Sequence, residues 1–458
     1  MKLSRSNKRT LPSLLITLFI VSLSVSGIAC AAEVREAEVS NEIQDVLELP
    51  QNPFFYLSGD YNKRLISEEE QQDHLREFMK LYFSPWSQSG PRHGMDVHDW
   101  IFQHFGEKQG YGENLRPRSG EWLEGQKINS NFQAFRSLDR KAISVRGTDL
   151  RLLPTDRPFF YDPALPGEGF PFDHLQNSGV HGGEPLFISH LSKDGAWAWS
   201  ETSYAAGWIR VEDLAFVNEE FMEKWMSLPL GVVTSDKSPL TDEEGLFRFM
   251  GTIGTILPIT DRGIAKNRVL LPVRDTDGKA IVKTALLDVE HFRVHPLPFT
   301  SWNAAMVCEG LINNPYGWGG YLENRDCSST IRDILLPFGI WMPRNSGAQA
   351  KTGLTISLEG MERSEKIRAI LREATPFSTL VNKRGHVMLY IGYYHGRPVI
   401  LHNTWGIGTL EEGSERRHII GKTVLTTLEP GKELDHLHPD KGLLIDSITG
   451  ITLLGGIR

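Results

Sequence analysis

The sequence predicts an α+β chain of several domains: a helical N-terminal segment, two small β-barrels, and a C-terminal domain that opens in helices and closes in strands. Three patterns carry this. Apolar residues recur at helical spacing early in the chain, as at Leu75, Phe78, Met79 and Tyr82. Two central stretches then alternate apolar and polar residues in short runs broken by Gly, Pro and Asp. Beyond residue 296 the helical period returns and gives way to hairpin-like runs. A chain of 458 residues, 40% hydrophobic and 23% charged, has ample core for such a division and is not composed like a disordered or collagen-like protein.

Residues 1–31 stand apart. Lys2, Arg5, Lys8 and Arg9 precede an apolar run from Leu11 to Val25 and then "SVSGIACAAEV", the order of a secretory signal. Cleavage after Ala31 and acylation of Cys30 are both open, although Gly27 suits a lipoprotein junction poorly. An uncleaved anchor is a third option, with a run short for a span. The expected location is the periplasm or cell envelope. Processing removes four of the 49 basic residues and none of the 57 acidic ones, leaving 45 against 57 and a net charge of about −12. No basic run remains to hold nucleic acid, and an anionic polymer has to be held by shape.

Residues 32–126 form the helical N-terminal segment. The stretch "NPFFYLSGDYN" reads as an extended arm, and Ser67-Glu68-Glu69-Glu70 as a capping box that opens the first long helix. A second, aromatic helix is expected from Val97 to Phe105. The first barrel spans 127–230 and includes "AISVRGTDLRLLP", "EPLFISHLSKDGAWAWSET" and "AAGWIRVEDLAFV". The second spans 231–295, with "GVVTSDKSPL", "GTILPITDRG" and "NRVLLPVRDTDGKAIVKTALL". Tandem barrels fit better than one sandwich because each stretch has its own turns. Trp197 and Trp199, one strand period apart, are either barrel core or a stacking surface, core being commoner.

"VHPLPFTSW" is a linker into the last domain, 296–458. Thr300 or Ser301 caps a helix whose apolar stripe is Ala304, Val307, Cys308, Leu311 and Ile312. After processing, Cys308 and Cys327 are either a bridge or two free thiols. Their settings differ. Cys308 lies on the stripe, as a small core residue does. Cys327 lies in "PYGWGGYLENRDCSSTIRDILLPF", where Ile331, Ile334, Leu335 and Phe338 continue a helix that begins at the cysteine. Unpaired amides and the helix dipole are expected to lower a thiol's pKa there and to stabilise an oxyanion. Gly317, Gly319 and Gly320 let the chain turn ahead of it and let a substrate approach. A thiolate needs a base, and "RGHVMLYIGYYHGRPVILHNTWG" supplies a hairpin with His386 opening one strand and His402 closing the other. A turn centred on Tyr394 puts them directly opposite, one as base and one as orienter. His395, at the tip, reads as a solvated loop residue.

"YGWGG", "DCSS", "HVMLYIG" and "ILHNTWG", in that order, resemble the NlpC/P60 family of cell-wall cysteine peptidases, which have a papain-like α+β fold. The upstream "GTDLRLLPTDRPFF" and "GWI" are similar to the bacterial SH3-type domains of one branch, and the helical segment to that branch's stabilising region. The resemblance implies hydrolysis of the bond between γ-D-glutamate and a diamino acid, usually diaminopimelate, in peptidoglycan stem peptides, and in the SH3-bearing branch in peptides that begin with a free L-Ala. It implies Cys327 as nucleophile, His386 as base and His402 as third residue. It further implies that the amino group is held by Asp326, Ser328, Ser346 in "MPRNSGAQ", and Tyr204 in "SYAAGWI". An alternative for Asp326 is that it only caps the helix. Two departures stand out: Ser329 replaces the usual Gly, and Arg325 stands where an aromatic is common. Arg325 either lowers the thiol pKa or faces solvent.

Two other classes remain open: a wall-binding protein with an inert C-terminal domain, and an amidase or acyltransferase on the same fold. The His436/His438 and His291/His295 pairs have spacings that occasionally bind zinc, without supporting ligands nearby. No cofactor, metal or obligate protein partner is expected, and a monomer is.

Overall fold

The computed structural model describes residues 42–455; the expected signal segment and Cys30 lie outside them. Ser67 opens the first long helix, Glu68–Tyr82, by accepting a hydrogen bond from the Glu70 amide at 3.1 Å. This helix buries Phe78 and Tyr82 and carries a buried Gln71. Gln71 Nε2 donates to the carbonyls of Leu297 and Phe338, tying the N-terminal segment to the last domain. Trp86 Nε1 donates to the Ala142 carbonyl at 2.7 Å and ties the same segment to the first sheet. The aromatic helix runs Asp96–Glu107. No helix among the described residues is long and apolar enough to cross a membrane.

Seven strands form the first sheet: β1 (Arg140–Ser144), β2 (Thr148–Arg151), β3 (Gln176–Val180), β4 (Pro185–Leu191), β5 (Trp197–Glu201), β6 (Ala206–Arg210) and β7 (Leu214–Phe216). Their spatial order is β3-β2-β6-β5-β4-β1-β7. Trp197, Trp199 and Trp208 are buried within it, so the tryptophans are core and not a stacking surface. The second module follows with β8 (Leu230–Val233), the hairpin β9 (Ser238–Thr241) and β10 (Phe247–Gly251), then β11 (Ile256–Arg262), β12 (Lys266–Arg274), β13 (Ala280–Asp288) and β14 (Phe292–Val294). Its five-stranded sheet is ordered β13-β12-β11-β8-β14.

In the last domain Thr300 caps the helix Ser301–Glu309, and Ala304, Val307, Cys308 and Leu311 are buried as the stripe requires. The helix Cys327–Leu335 packs on an antiparallel sheet of β15 (Leu354–Ser357), β16 (Thr379–Lys383), β17 (His386–Tyr394), β18 (Arg397–Glu411), β19 (Ser414–Thr426) and β20 (Ile448–Leu453). The order is β15-β20-β16-β17-β18-β19. The architecture is therefore α+β and multidomain, with two small β-modules ahead of a helix-on-sheet domain. One hydrophobic core runs from Phe78 through Val232 and Ile259 to Ile331, Phe338 and Leu389, so the domains share their interior instead of hanging on linkers.

The β17–β18 hairpin departs from the sequence expectation. Its turn is His395–Gly396, both at positive φ, and a bulge falls between Tyr390 and Gly392. The register pairs Leu389 with Leu401, which places His402 across from Met388 and not from His386. The two histidines are diagonal neighbours on one face, still within reach of each other.

Candidate active site

Cys327 is the first residue of its helix, and both cysteines among the described residues are free. Asp326 caps the helix by accepting from the Ser329 amide at 2.8 Å, while Ser329 Oγ accepts from the Asp326 amide at 2.9 Å. Ser329, the departure from the usual Gly, thus completes a capping box. The glycines ahead of the cysteine serve a contact the sequence did not suggest. Gly319 and Gly320 lie at φ +63° and +92°, and a Cβ at either would sit 2.3 Å from the Gln176 carbonyl oxygen or 2.5 Å from the Gly179 nitrogen. They let β3 of the first sheet press on this turn.

The hairpin brings the two imidazoles together: His386 Nε2 lies 3.0 Å from His402 Nδ1, and His402 Nε2 lies 3.1 Å from Thr426 Oγ1. Thr426 offers a way to set the proton positions: with its single hydroxyl hydrogen directed at the Thr427 carbonyl, 2.8 Å away, Oγ1 accepts at His402 Nε2. His402 is then an Nε2–H tautomer whose Nδ1 accepts from His386 Nε2–H. His386 is left with an unprotonated Nδ1, the nitrogen a base needs. Burial, then the Lys383 ammonium, holds the His386 imidazole down at about 3, and burial depresses His402 further. Both rings are neutral at pH 7.

The thiol contradicts the expectation of a lowered pKa. Burial, followed by the Asp326 charge, pushes Cys327 up to about 12, against the downward pull of the Val387 amide, Arg344 and the Ser328 amide. The resting pair is therefore thiol and neutral imidazole, and no hydrogen bond joins them among the described residues. Cys308 is pushed up by burial with nothing opposing it.

Arg344 is the residue the sequence reading missed, although it lies in the "MPRNSGAQ" segment beside Ser346. Its guanidinium donates to Asp326 Oδ2 at 2.7 Å, to Asp326 Oδ1 at 3.2 Å, to Ser328 Oγ at 2.9 Å and to Ser178 Oγ of β3 at 2.8 Å. Burial raises the Asp326 carboxyl, but Arg344 and the donors around it outweigh burial and leave it below its ordinary value. With Gly319 N and Ser328 Oγ also donating, both Asp326 oxygens are occupied, and an incoming ammonium group has to share them with Arg344. Arg325 neither faces solvent nor acts on the thiol. It is buried and forks onto Asp236 of the second module at 2.7 and 2.9 Å and onto Asp333 at 2.6 Å.

One cavity of about 950 Å³ is lined by Cys327, His386 and His402 together with Asp326, Ser328, Ser346 and Tyr204. The seven residues that the sequence offered for catalysis and for holding the amino group all line it. Tyr204 comes from the first module; its hydroxyl lies 2.9 Å from Glu184 and 3.0 Å from the Gly179 carbonyl, with the Arg332 guanidinium 3.6 Å above its ring. The candidate zinc histidines are dispersed: His295 is buried against the Leu336 carbonyl, and His438 faces Glu415. No group of metal-binding side chains occurs among the described residues.

Comparison with known proteins agrees with this layout. Residues 16–135 match the NLPC_P60 stabilising domain, N term; 158–210 the SH3 domain of SH3b1 type; 218–263 the SH3 domain of SH3b2 type; and 313–425 the NlpC/P60 family. Among solved structures the chain is similar to an NlpC/P60 endopeptidase from Photobacterium damselae subsp. piscicida. The TM-score is 0.79 at 24% identity, over 89% of this chain and 97% of that one, a likeness of fold. An NlpC/P60 family protein from Bacillus cereus aligns with TM-score 0.47 at 17% identity, over 69% of this chain and 100% of that one. No curated protein matches the sequence. With the stabilising domain, the two SH3-type domains and the catalytic domain matched in sequence order, the chain belongs to the NlpC/P60 family of cell-wall cysteine peptidases.

Proposed function

We propose that this peptidase cleaves the bond between γ-D-glutamate and diaminopimelate in peptidoglycan stem peptides that begin with a free L-Ala. The observation that carries the reading is the single cavity in which Cys327 and His386 share walls with Tyr204 of the first SH3-type domain. A cleft closed on one side by a second domain admits a chain end more readily than the middle of a polymer. Residues able to accept from an ammonium group line the same cavity: Tyr204, Ser346 and Asp326, whose carboxylate is shared with Arg344.

In this mechanism His386 Nδ1 takes the thiol proton as Sγ attacks the γ-carbonyl carbon, and the first-turn amides of the helix meet the oxyanion. His386 then passes that proton to the leaving amine, and the C–N bond breaks to leave a thioester on Cys327. Water, deprotonated by His386, attacks the thioester and releases the acyl product and the thiol. His402, held by Thr426, keeps the imidazole in the tautomer that each transfer requires. An exported location, as the first 31 residues suggest, places the enzyme where such peptides occur.

The test is incubation of the protein with L-Ala-γ-D-Glu-meso-diaminopimelate, with products read by mass spectrometry. Release of L-Ala-γ-D-Glu and free diaminopimelate supports the reading. An intact tripeptide that nevertheless binds refutes it in favour of a wall-binding module. Acetylation of the L-Ala amine is expected to lower kcat/KM by about a hundredfold, the effect of leaving buried polar partners unmet. Equal turnover of the acetylated peptide removes the free amine from recognition.

A further inference from the structure

Lys383 and Arg417, both half-buried in the cavity wall, form no ion pair among the described residues, although Arg417 lies within electrostatic reach of Glu415. Lys383 ends β16 and stands directly across the two-residue turn Arg384–Gly385 from His386, its cross-strand partner. Arg417, on β19, lines the same cavity. The nearest carboxylate along β19, Glu415, is taken by Lys441 and His438. Arg417 Nη1 is buried with no acceptor, lodged against Gly408, where a Cβ would come within 2.9 Å of it. Burial, followed by Arg417, depresses the Lys383 ammonium, so the two cations are close enough to repel. Half-buried like charges left unpaired in a cleft are costly unless a ligand brings the opposite charge.

Their position says which part of a ligand that is. His386 delivers a proton to the leaving amine, so the leaving half of the substrate lies on the His386 side of Cys327. The Asp326, Ser328, Ser346 and Tyr204 group receives the acyl half on the other. We infer that Lys383 and Arg417 form an anion subsite for the leaving residue, binding the carboxylate at the far end of a diamino acid such as diaminopimelate and disfavouring lysine, whose far end carries an ammonium alone. This rests on the peptidase reading above and extends it to the leaving-group side.

The experiment compares kcat/KM for L-Ala-γ-D-Glu-meso-diaminopimelate and L-Ala-γ-D-Glu-L-Lys in the full-length protein, Lys383→Met and Arg417→Gln. The wild type is expected to prefer the diaminopimelate peptide by at least about tenfold, equivalent to about 1.4 kcal/mol. In each variant turnover of the diaminopimelate peptide falls while that of the lysine peptide holds or rises, because a repulsion has been removed. A structural role would lower both together, so the opposite movement of the two substrates is the diagnostic result. Equal use of both peptides by the wild type, or a preference unchanged in both variants, overturns the subsite and leaves the peptidase reading standing. Failure of the wild type to cleave either peptide overturns both.

Discussion

In the proposed mechanism Cys327 and His386 carry the chemistry, and their protonation decides how it runs. His386 is held neutral well below the ordinary histidine pKa, and the Cys327 thiol is held protonated well above its own. The competent pair, thiol with neutral imidazole, survives acidification until His386 takes a proton. The acid limb of kcat/KM is therefore expected below pH 6.5, and a limb at or above 6.5 contradicts a buried, neutral base. Cys327→Ala is expected to abolish turnover with the fold intact, and Cys308→Ala to leave the chemical step unchanged; loss of chemistry in the second identifies the wrong thiol. Arg344→Met leaves the Asp326 charge unpaired beside the sulfur. Alkylation of Cys327 by iodoacetamide at pH 8 is expected to slow by about tenfold, one pKa unit. An unchanged rate means that Arg344 does not act on the thiol. Cys327 was legible because it opens a helix. The direction of its pKa shift was not, since its largest cause is burial, which the packing of distant segments around the helix start decides.

The β17–β18 hairpin shows how far pattern reaches among secondary-structure elements. Alternation located both strands and put both histidines on one face. It could not show the bulge at Ile391, because an inserted residue in a continuous apolar run leaves no mark in the sequence. The consequence is a diagonal pair in place of a direct one, and a diagonal His402 reaches Thr426 on the next strand. Nothing in the sequence near Thr426 signals this, for its partner sits 24 residues earlier on a neighbouring strand. Thr426→Val removes the acceptor that selects the His402 tautomer, and kcat is expected to drop about tenfold with KM little changed, the effect of one hydrogen bond. Thr426→Ser restores the hydroxyl and should restore kcat. Nitrogen NMR of the His402 ring distinguishes this from simple loosening: the Nε2–H tautomer persists in the Ser variant and is lost in the Val variant.

Across the molecule as a whole, buried charge binds the domains together. Arg325 of the catalytic domain meets Asp236 of the second SH3-type domain and Asp333, and Asp333 meets His181 of the first at 3.0 Å. Arg332 adds a contact to Glu184 at 3.4 Å. These partners lie as far as 152 residues apart, with no period or spacing to reveal them, so the domain types were legible in the sequence and their docking was not. Arg325→Met strands two buried carboxylates and is expected to cost about 3–5 kcal/mol in denaturant unfolding. A loss under about 1 kcal/mol contradicts the network. Acid should weaken it too. Burial raises the Asp333 carboxyl, but His181 and Arg325 hold it below its usual range, so its contribution is complete above about pH 4 and is lost as pH falls further. His295, pushed by burial to about 4 from a free value near 6.5, adds a loss that begins below pH 6.5. Stability that stays flat from pH 7 to pH 4 contradicts this burial.

Whether one sulfur forms the covalent intermediate can be read from a single trapped species. The protein is acid-quenched during turnover of L-Ala-γ-D-Glu-meso-diaminopimelate, digested and mapped by mass spectrometry. The expected result is an L-Ala-γ-D-Glu acyl group on Cys327, absent from Cys327→Ala. An acyl group on any other residue, or turnover persisting in the alanine variant, contradicts the mechanism.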